Sequence, residues 1–284
     1  MKNYILFSLT VFCFLFSNFS FAQLSGTSYS EAKTSKTAEL ICVYDNTKGF
    51  AYRTEEGKMA GVLVELMTNF EAYVRSKTGI QLKVAYEETP TYDFKEFMAK
   101  VKEGNGGVFG LSNVSIKEER KEYYLFSPAY LTNVSVLISN STFPTLASMD
   151  EINRAFNQKM AYSVKETTYM DRLLEIKENH FSGMQITYLS TVDEVMEKIV
   201  GDKSGFGIVD LHYYFDFLST RKPVKRHKVG DKIDEEFGII MPLNNDWAPL
   251  LTEYMNGGIL SSQEYKKIVQ ENLGLGGLRL IIER

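Results

Sequence analysis

Apolar and polar positions along this 284-residue chain alternate with two periods, one typical of strands and one typical of helices. Short apolar runs predict strands at LICVY (40–44), QLKVAY (81–86) and GVFGL (107–111). Between them, helical spacing predicts helices at GVLVELMTNFEAYVRS (61–76) and FKEFMAKVKE (94–103). Alternation of this kind is typical of a parallel sheet covered by helices.

The same alternation returns after the apolar run VSVLIS at 134–139. It predicts strands at MAYSV (160–164), MQITYL (184–189) and FGIVD (206–210), with helices at about 168–178 and 193–200. Capping boxes, in which an acid follows a Ser or Thr by three residues, predict helix starts at Ser115, Ser148, Thr168, Thr191 and Ser261. A strand-like EFGIIMP and two terminal helices complete the pattern.

These two series predict an α/β protein of two lobes, each a mostly parallel sheet flanked by helices. We assign residues 39–136 and 229–284 to lobe 1 and residues 137–228 to lobe 2, with a hinge where the chain crosses near 134–139 and 221–229. Ligands of open α/β sheets bind outside the carboxyl ends of strands, where helix N-termini offer unpaired N–H groups. A cleft between two such edges is suited to an anionic group.

Residues 1–22 have the pattern of a secretory signal peptide, in which Ser20 and Ala22 fit the small-residue rule for cleavage after Ala22. The apolar stretch is shorter than the about 20 residues that a membrane-spanning helix needs. Because Gln23 stands where a lipid-anchored protein has cysteine, we expect a protein that is free in the periplasm. The polar residues 23–38 show no periodicity and predict a flexible leader.

Composition narrows the possible chemistry. The formal net charge is −4 and becomes −5 without Lys2, which argues against nucleic acid or an anionic membrane surface as a partner. The three histidines are scattered and form no metal-binding motif, so we expect neither a metal nor another cofactor. No GxSxG motif occurs and Cys42 has no histidine nearby in sequence, so we assign no catalytic residue. We expect a monomer.

The segment at 111–130 carries the most informative chemistry. A strand is predicted to end near Leu111, and Ser115 then begins a short helix that carries Arg120. The guanidinium of arginine can grip a carboxylate with two hydrogen bonds, and Asn113 and Ser115 belong to the same turn. The alternative is that Arg120 is a solvated surface charge, as most arginines are.

The stretch SIKEERKEYYLFSPAY at 115–130 closely resembles the segment that carries the ligand arginine in bacterial extracellular solute-binding proteins of family 3. These are the polar amino-acid receptors of ABC importers. GFAYRTEEGKMAGVLVEL at 49–66, KETTYMDRLL at 165–174 and the run FGIVD also resemble that family, so the likeness spans roughly residues 40–274. The resemblance implies a type II periplasmic-binding fold, a small carboxylate-bearing ligand and an ABC permease as partner.

Transferred to this sequence, the resemblance implies that Arg120 binds the carboxylate of the ligand with help from Asn113 and Ser115. Thr167 and Thr168 would add donors from lobe 2. The alternative for Thr168 is a helix cap without a binding role.

The resemblance also implies that Asp210 binds an α-ammonium group, so that Arg120 and Asp210 together would select a zwitterion. Phe50 and Tyr52 would supply an apolar wall, and Asp45, at the end of the first strand, would meet a ligand side chain. The alternatives are that Asp210 only caps the following helix and that Phe50 belongs to the core.

Two departures from the family leave other functions open. Glu166 stands where the family has glycine, and no proline precedes Phe50. A periplasmic enzyme of the dehydratase kind, with Glu166 or Asp210 as general acid, is one alternative. A ligand-sensing module is another, since similar domains occur fused to histidine kinases.

Overall fold

The computed structural model describes residues 23–89 and 94–281. The predicted signal peptide therefore lies outside the described residues. Within the described residues, no helix is long and apolar enough to cross a bilayer.

Strands and helices alternate along the described chain. The strands are β1 (Ser25–Gly26), β2 (Thr37–Tyr44), β3 (Tyr52–Arg53), β4 (Met59–Ala60), β5 (Gln81–Glu88), β6 (Asn105–Gly106), β7 (Val108–Leu111), β8 (Tyr124–Phe126), β9 (Leu131–Asn140), β10 (Met160–Val164), β11 (Gln185–Leu189), β12 (Gly205–Asp210), β13 (Val224–Phe237) and β14 (Ile240–Pro242). The α-helices are α1 (Tyr29–Ser35), α2 (Val62–Thr78), α3 (Phe94–Lys102), α4 (Glu118–Lys121), α5 (Ile152–Ala155), α6 (Thr168–Asn179), α7 (Val192–Gly201), α8 (Leu211–Ser219), α9 (Ala248–Asn256) and α10 (Gln263–Gly277).

Two five-stranded sheets organise these elements. The first has the order β5-β2-β7-β14-β8, in which β2 pairs in parallel with β5 and β7 while β14 runs antiparallel. The second has the order β11-β10-β12-β9-β13, with β10 parallel to both β11 and β12 and with β9 antiparallel. We call the part of the chain built on the first sheet lobe 1 and the part built on the second sheet lobe 2.

Two long strands connect the lobes. β9 and β13 pair in antiparallel register from Leu131 opposite Phe237 to Asn140 opposite Val224. At the lobe 1 end, Ser115 forms an isolated bridge with Phe237. The register of the pair shifts on either side of Lys232, so the ribbon is irregular in its middle. These two strands are the crossing segments of the hinge.

The stretch expected to be a flexible leader is part of lobe 1, and that prediction is wrong. Ser28 and Glu31 form a capping box that begins α1. The carboxylate of Asp246 accepts a hydrogen bond from the backbone N–H of Tyr29 at 2.7 Å, and the indole N–H of Trp247 donates to the carbonyl of Thr27 at 2.8 Å. A helix with one fully buried side chain has too weak a periodic signal to be read from sequence, and its anchors lie more than 200 residues away.

Most predicted helix starts lie within one residue of those observed. Thr191 caps α7 by accepting a hydrogen bond from the backbone of Glu194 at 3.1 Å. Thr167 caps α6, one residue before the predicted position, and Ser262 caps α10, one residue after it. Ser115 caps no helix, because its hydroxyl donates to the carboxylate of Glu235 in the hinge strand β13.

One large apolar core runs from lobe 1 into lobe 2, and each lobe has a smaller apolar cluster besides. In lobe 1, Trp247 and Phe70 are fully buried between the helices and the sheet, and Cys42 lies among them. Burial raises the pKa of the Cys42 thiol, which therefore stays protonated and inert. In lobe 2, Phe156 packs edge-on against Phe206 with ring centroids 4.8 Å apart.

Candidate ligand-binding site

A cavity of about 350 Å³ lies between the lobes, where strands of both sheets end. Its size is within the range of about 300–1,000 Å³ that is usual for small-molecule sites. Lobe 1 lines it with Asp45, Asn46, Thr47, Lys48, Phe94, Asn113, Ser115 and Arg120. Lobe 2 lines it with Val164, Thr167, Thr168, Tyr169, Ser190, Thr191, Val192, Asp193, Asp210 and Tyr213.

The lobe 2 wall consists mainly of helix N-termini. The first turns of α6, α7 and α8 all reach the cavity. Thr167, the cap of α6, donates its hydroxyl to the carbonyl of Val164 at 2.7 Å and accepts from the backbone N–H of Met170 at 3.4 Å. Because the N-terminal turn of a helix carries unpaired N–H groups and a partial positive charge, this wall favours an anionic group.

Arg120 faces these helix ends from lobe 1. One guanidinium nitrogen donates to the carbonyl of Ser115 at 3.0 Å, and the guanidinium carbon lies 5.5 Å from the ring centroid of Phe94. Burial lowers the pKa of the guanidinium, while Glu235 acts in the opposite direction. Among the described residues, Arg120 forms no ion pair. Since arginine has five N–H donors, most of them stay available to a ligand.

Asp210 lies at the carboxyl end of β12 and is 2% exposed. Its carboxylate accepts hydrogen bonds from the hydroxyl of Tyr169 at 2.6 Å and from the amides of Asn113 and Asn133, each at 2.7 Å. Burial raises the pKa of Asp210 to about 7, despite the hydrogen bonds that act to lower it. Asn113 belongs to lobe 1, Asn133 to the hinge and Tyr169 to lobe 2, so this carboxylate connects all three parts.

Asn133 and Glu235, which no sequence pattern had indicated, extend this network. Asn133 is 1% exposed and its amide nitrogen also donates to Glu235 at 2.9 Å. The same carboxylate oxygen of Glu235 accepts from the hydroxyl of Ser115 at 2.9 Å. The available signal was a polar asparagine inside the apolar run of β9, because a buried amide requires partners. No motif indicated Glu235, which lies on β13. We call Asp210, Asn113, Asn133, Tyr169, Glu235 and Ser115 the cleft floor.

Asp45 forms part of the lobe 1 wall at the end of β2. Its two carboxylate oxygens accept from the hydroxyl of Thr47 at 2.7 Å and from the hydroxyl of Ser112 at 2.8 Å. Burial raises the pKa of Asp45. Opposite it, Tyr213 stays a neutral phenol, because burial and the nearby carboxylates raise its pKa well above the usual value.

Phe50 and Tyr52 lie outside the cavity, so the structure does not support the apolar wall expected from them. Phe50 is fully buried and packs edge-on against His212 with ring centroids 4.8 Å apart. Tyr52 pairs with Ala60 in the small β3–β4 hairpin. Phe94 provides an aromatic surface instead, next to Arg120. The strand pattern could not show that the ring at position 50 points into the core.

Glu166 has a left-handed backbone, with φ of 61°, and lies at the outer edge of the cleft. It does not line the cavity. Its carboxylate forms one of three ion pairs, counted over residues 23–89 and 94–281, in which a lobe 1 lysine meets a lobe 2 acid. These pairs, which we call the cleft rim, are Lys48 with Asp216 at 2.8 Å, Lys95 with Glu166 at 3.1 Å and Lys117 with Asp171 at 2.7 Å.

The fold is that of the two-lobed type II periplasmic binding proteins, as predicted. The arginine-, lysine-, histidine-binding protein ArtJ from Geobacillus stearothermophilus superposes with a TM-score of 0.65 at 18% identity, over 83% of this chain and 95% of ArtJ. The ancestral amino-acid-binding protein AncCDT-1, a precursor of cyclohexadienyl dehydratase, also reaches 0.65, at 15% identity over 86% of this chain and 98% of its own. At such identities the likeness concerns the fold alone.

Residues 40–271 match the profile of the bacterial extracellular solute-binding proteins, family 3. The chain belongs to this family, which confirms the resemblance found in the sequence. An ancestral arginine-binding protein is a further structural neighbour, with a TM-score of 0.65 at 16% identity over 82% of this chain and 97% of its own. No sequence among curated proteins matches this chain.

Proposed function

We propose that this protein captures a small amino-acid-like ligand between its lobes, outside the inner membrane, and delivers it to an ABC importer. The observation that carries the proposal is Arg120, whose guanidinium has no ion pair among the described residues and faces three helix N-termini across the cavity. A carboxylate placed there would meet a guanidinium from lobe 1 and backbone N–H groups from lobe 2. Membership of the solute-binding family supports this function.

In this proposal each lobe has a defined role. Arg120 holds the carboxylate of the ligand, and the first turn of α6, with Thr167 and Thr168, completes its hydrogen bonds from lobe 2. Asp210 accepts the α-ammonium group at the acceptor position that its three present donors leave open. The hydroxyl of Ser115 and the amide of Asn113 already donate to carboxylates, so they hold the site in place more than they bind the ligand.

Ligand binding would favour the closed arrangement of the lobes, since only that arrangement brings both walls to the carboxylate. A ligand shifts such an equilibrium by the difference in its affinity for the two states. β9 and β13 are the segments that would bend. The closed form would then be the one that a permease recognises.

The test is a thermal-shift screen against amino acids, organic acids and short peptides. A ligand at 100 times its dissociation constant stabilises the folded protein by about 2.7 kcal/mol. We expect Arg120→Ala to abolish this stabilisation while the unfolding temperature without ligand changes little, because Arg120 is not a core residue. Arg154→Ala is the matched control, since Arg154 is exposed on α5 in lobe 2. Undiminished ligand binding by Arg120→Ala would contradict the proposed site.

A second candidate is an enzyme on the same scaffold. The pKa of Asp210, at about 7, is suited to a general acid at neutral pH. Glu166, the other acid considered, lies outside the cavity and pairs with Lys95. Incubation with prephenate, followed by mass spectrometry, separates the two functions. Loss of water and carbon dioxide from that substrate, abolished in Asp210→Asn, would favour the enzyme.

A further inference from the structure

Two carboxylates of the cleft floor, Asp210 and Glu235, are joined by a single amide group. The amide nitrogen of Asn133 donates to Asp210 at 2.7 Å and to Glu235 at 2.9 Å. Both N–H bonds of that nitrogen are therefore directed at carboxylate oxygens. The amide oxygen of Asn133 has no hydrogen-bond partner among the described residues. One nitrogen atom thus holds the two acids close together.

The placement of Glu235 follows from the irregular middle of the hinge. Glu235 lies directly opposite Asn133 in the ladder of β13 and β9, whereas Lys232 lies opposite Ser135. Three steps along β13 are therefore set against two steps along β9, which is the pattern of a β-bulge. Since partners across a strand pair lie on the same face, the bulge turns Glu235 to the face on which Asn133 is buried.

No cation pairs with either acid in the part of the chain that the structure describes. Their other donors are neutral groups, namely the amide of Asn113 and the hydroxyls of Tyr169 and Ser115. The guanidinium of Arg120 donates instead to the carbonyl of Ser115. Because two like charges so close together repel, a state in which one of the two acids is protonated is favoured.

Asp210 is the acid that is suited to keep the proton. It is 2% exposed, whereas Glu235 is only half-buried. Burial raises the pKa of Asp210 to about 7, and the charge of Glu235 contributes to that rise. The hydroxyl of Tyr169, 2.6 Å from the carboxylate, can accept a hydrogen bond as well as donate one, so the acid proton can lie in this contact.

The other titratable groups around Asp210 do not take up this proton. Tyr130 and Tyr213 face Asp210 and stay neutral phenols, because burial raises the pKa of each well above its usual value. Arg120 and Asp45 line the same cavity from lobe 1. Glu235 is therefore the negative charge that is linked to Asp210 through a shared hydrogen-bond donor.

We propose that the empty site holds one proton on the pair of Asp210 and Glu235, and that the ammonium group of an incoming ligand displaces it. The inference rests on the proposed function, in which Asp210 accepts the α-ammonium group. An ammonium group is bound best by an ionised carboxylate, so the proton passes to solvent as the ligand enters. Glu235 does not line the cavity. It is a positioning residue that acts on the ligand through the charge of Asp210.

Proton release is measured by titration calorimetry in pairs of buffers that differ in their heat of ionisation. The probes are L-arginine, L-glutamine and L-glutamate, so that no class of side chain is assumed. With a pKa of about 7 for Asp210 in the empty site, wild type should release about 0.9 proton per probe bound at pH 6 and about 0.1 at pH 8. Its affinity should rise about tenfold from pH 5 to pH 6.

The variant Glu235→Gln tests the positioning residue. It keeps the size of the side chain and one acceptor oxygen but removes the charge that favours a protonated Asp210. It should release about 0.5 proton per probe at pH 6, as a tenfold weaker hold on the proton predicts. Glu236→Gln makes the same change of charge at the next residue of β13, which is exposed, and should behave as wild type. Equal proton release by the two variants would overturn the role of Glu235.

A carbon-13 NMR titration of the aspartate carboxyl groups tests the empty site without any probe. The Asp210 signal is identified by its loss in Asp210→Asn. It should titrate near pH 7 in wild type and in Glu236→Gln, and at lower pH in Glu235→Gln. An Asp210 signal that titrates near pH 4 in wild type, as an exposed aspartate does, would contradict the inference.

The outcomes separate this inference from the function on which it rests. If the probes bind wild type and release no proton at pH 6, the inference fails and the proposed function stands. If none of the probes binds, the proposed function fails and the displacement of the proton falls with it, at whatever pH Asp210 titrates.

Discussion

The cleft floor and the cleft rim both join lobe 1 to lobe 2, but they do so with different chemistry. In the floor, Asp210 is 2% exposed and accepts three hydrogen bonds from neutral side chains. In the rim, exposed or half-buried lysines of lobe 1 meet exposed or half-exposed acids of lobe 2, as in the pair of Lys95 with Glu166. Polar contacts between the lobes are therefore buried in the floor and largely exposed to solvent in the rim.

The comparison shows that environment, more than the type of contact, decides what a contact contributes. An exposed ion pair contributes about 0–1 kcal/mol and is screened by salt. A buried polar group that loses its partner costs about 1–3 kcal/mol, and more when it is charged. The rim is accordingly suited to a contact that opens and closes readily, and the floor to a contact that sets the geometry of the site.

The largest effect is expected from the cleft floor at Asn133. Replacing Asn133 with Leu removes the amide that donates to both Asp210 and Glu235, and leaves the buried carboxylate of Asp210 and the half-buried carboxylate of Glu235 facing an apolar group. We expect a loss of about 3–5 kcal/mol in the free energy of unfolding, measured by urea denaturation. Asn244→Leu, at an exposed amide of lobe 1, is the control and should change it by less than about 0.5 kcal/mol. Equal effects of the two variants would show that the buried network is unimportant.

A smaller effect concerns the pH dependence of the cleft floor. Because burial raises the pKa of Asp210 to about 7, the folded state holds a proton that the unfolded state releases near pH 4. The resulting contribution to stability is complete when the pH is below the pKa that Asp210 has in the unfolded state. It is lost as the pH rises through about 7, the pKa of Asp210 in the folded state. Glu235 and Tyr169 face the same carboxylate.

We expect wild type to lose about 2–3 kcal/mol relative to Asp210→Asn between pH 5 and pH 8. The measurement is the free energy of unfolding of both proteins across that pH interval. The difference between the two free energies gives the contribution of the Asp210 carboxyl alone. Glu178→Gln, at an exposed glutamate of α6, controls for the change in net charge. Parallel pH profiles for wild type and Asp210→Asn would refute the raised pKa.

The smallest effect is expected in the cleft rim. Replacing its three lysines, Lys48, Lys95 and Lys117, with Gln should cost less than about 2 kcal/mol in total, and the cost should shrink at high ionic strength. Urea denaturation at low and at high salt measures both quantities. The control replaces Lys58, Lys198 and Lys203, which are exposed and lie outside the cavity. If the control variant shows the same salt dependence, the rim pairs contribute nothing specific.

How much of the candidate site was predictable depends on where each residue lies along its strand. Asp45, Asn113 and Asp210 follow or end parallel strands, and the carboxyl ends of such strands share one edge of a sheet, so their approach to the cavity could be predicted. Phe50 and Tyr52 follow no such rule, and the structure places both outside the cavity. Asn133 and Glu235 could not be predicted as site residues, because they lie within strands, where polar residues usually face solvent.

The chain by itself determined the local order of this protein. Apolar spacing set the alternation of strands and helices, and the turn at Arg120 carried enough family likeness to indicate the candidate site. Only the tertiary structure decided the rest, because those features depend on contacts between distant segments. α1 is held by Asp246 and Trp247, more than 200 residues away, and Asn133 joins Asp210 to Glu235 across two strands of the hinge. Burial, hydrogen-bond partners and pKa values are properties of such contacts, and no local pattern encodes them.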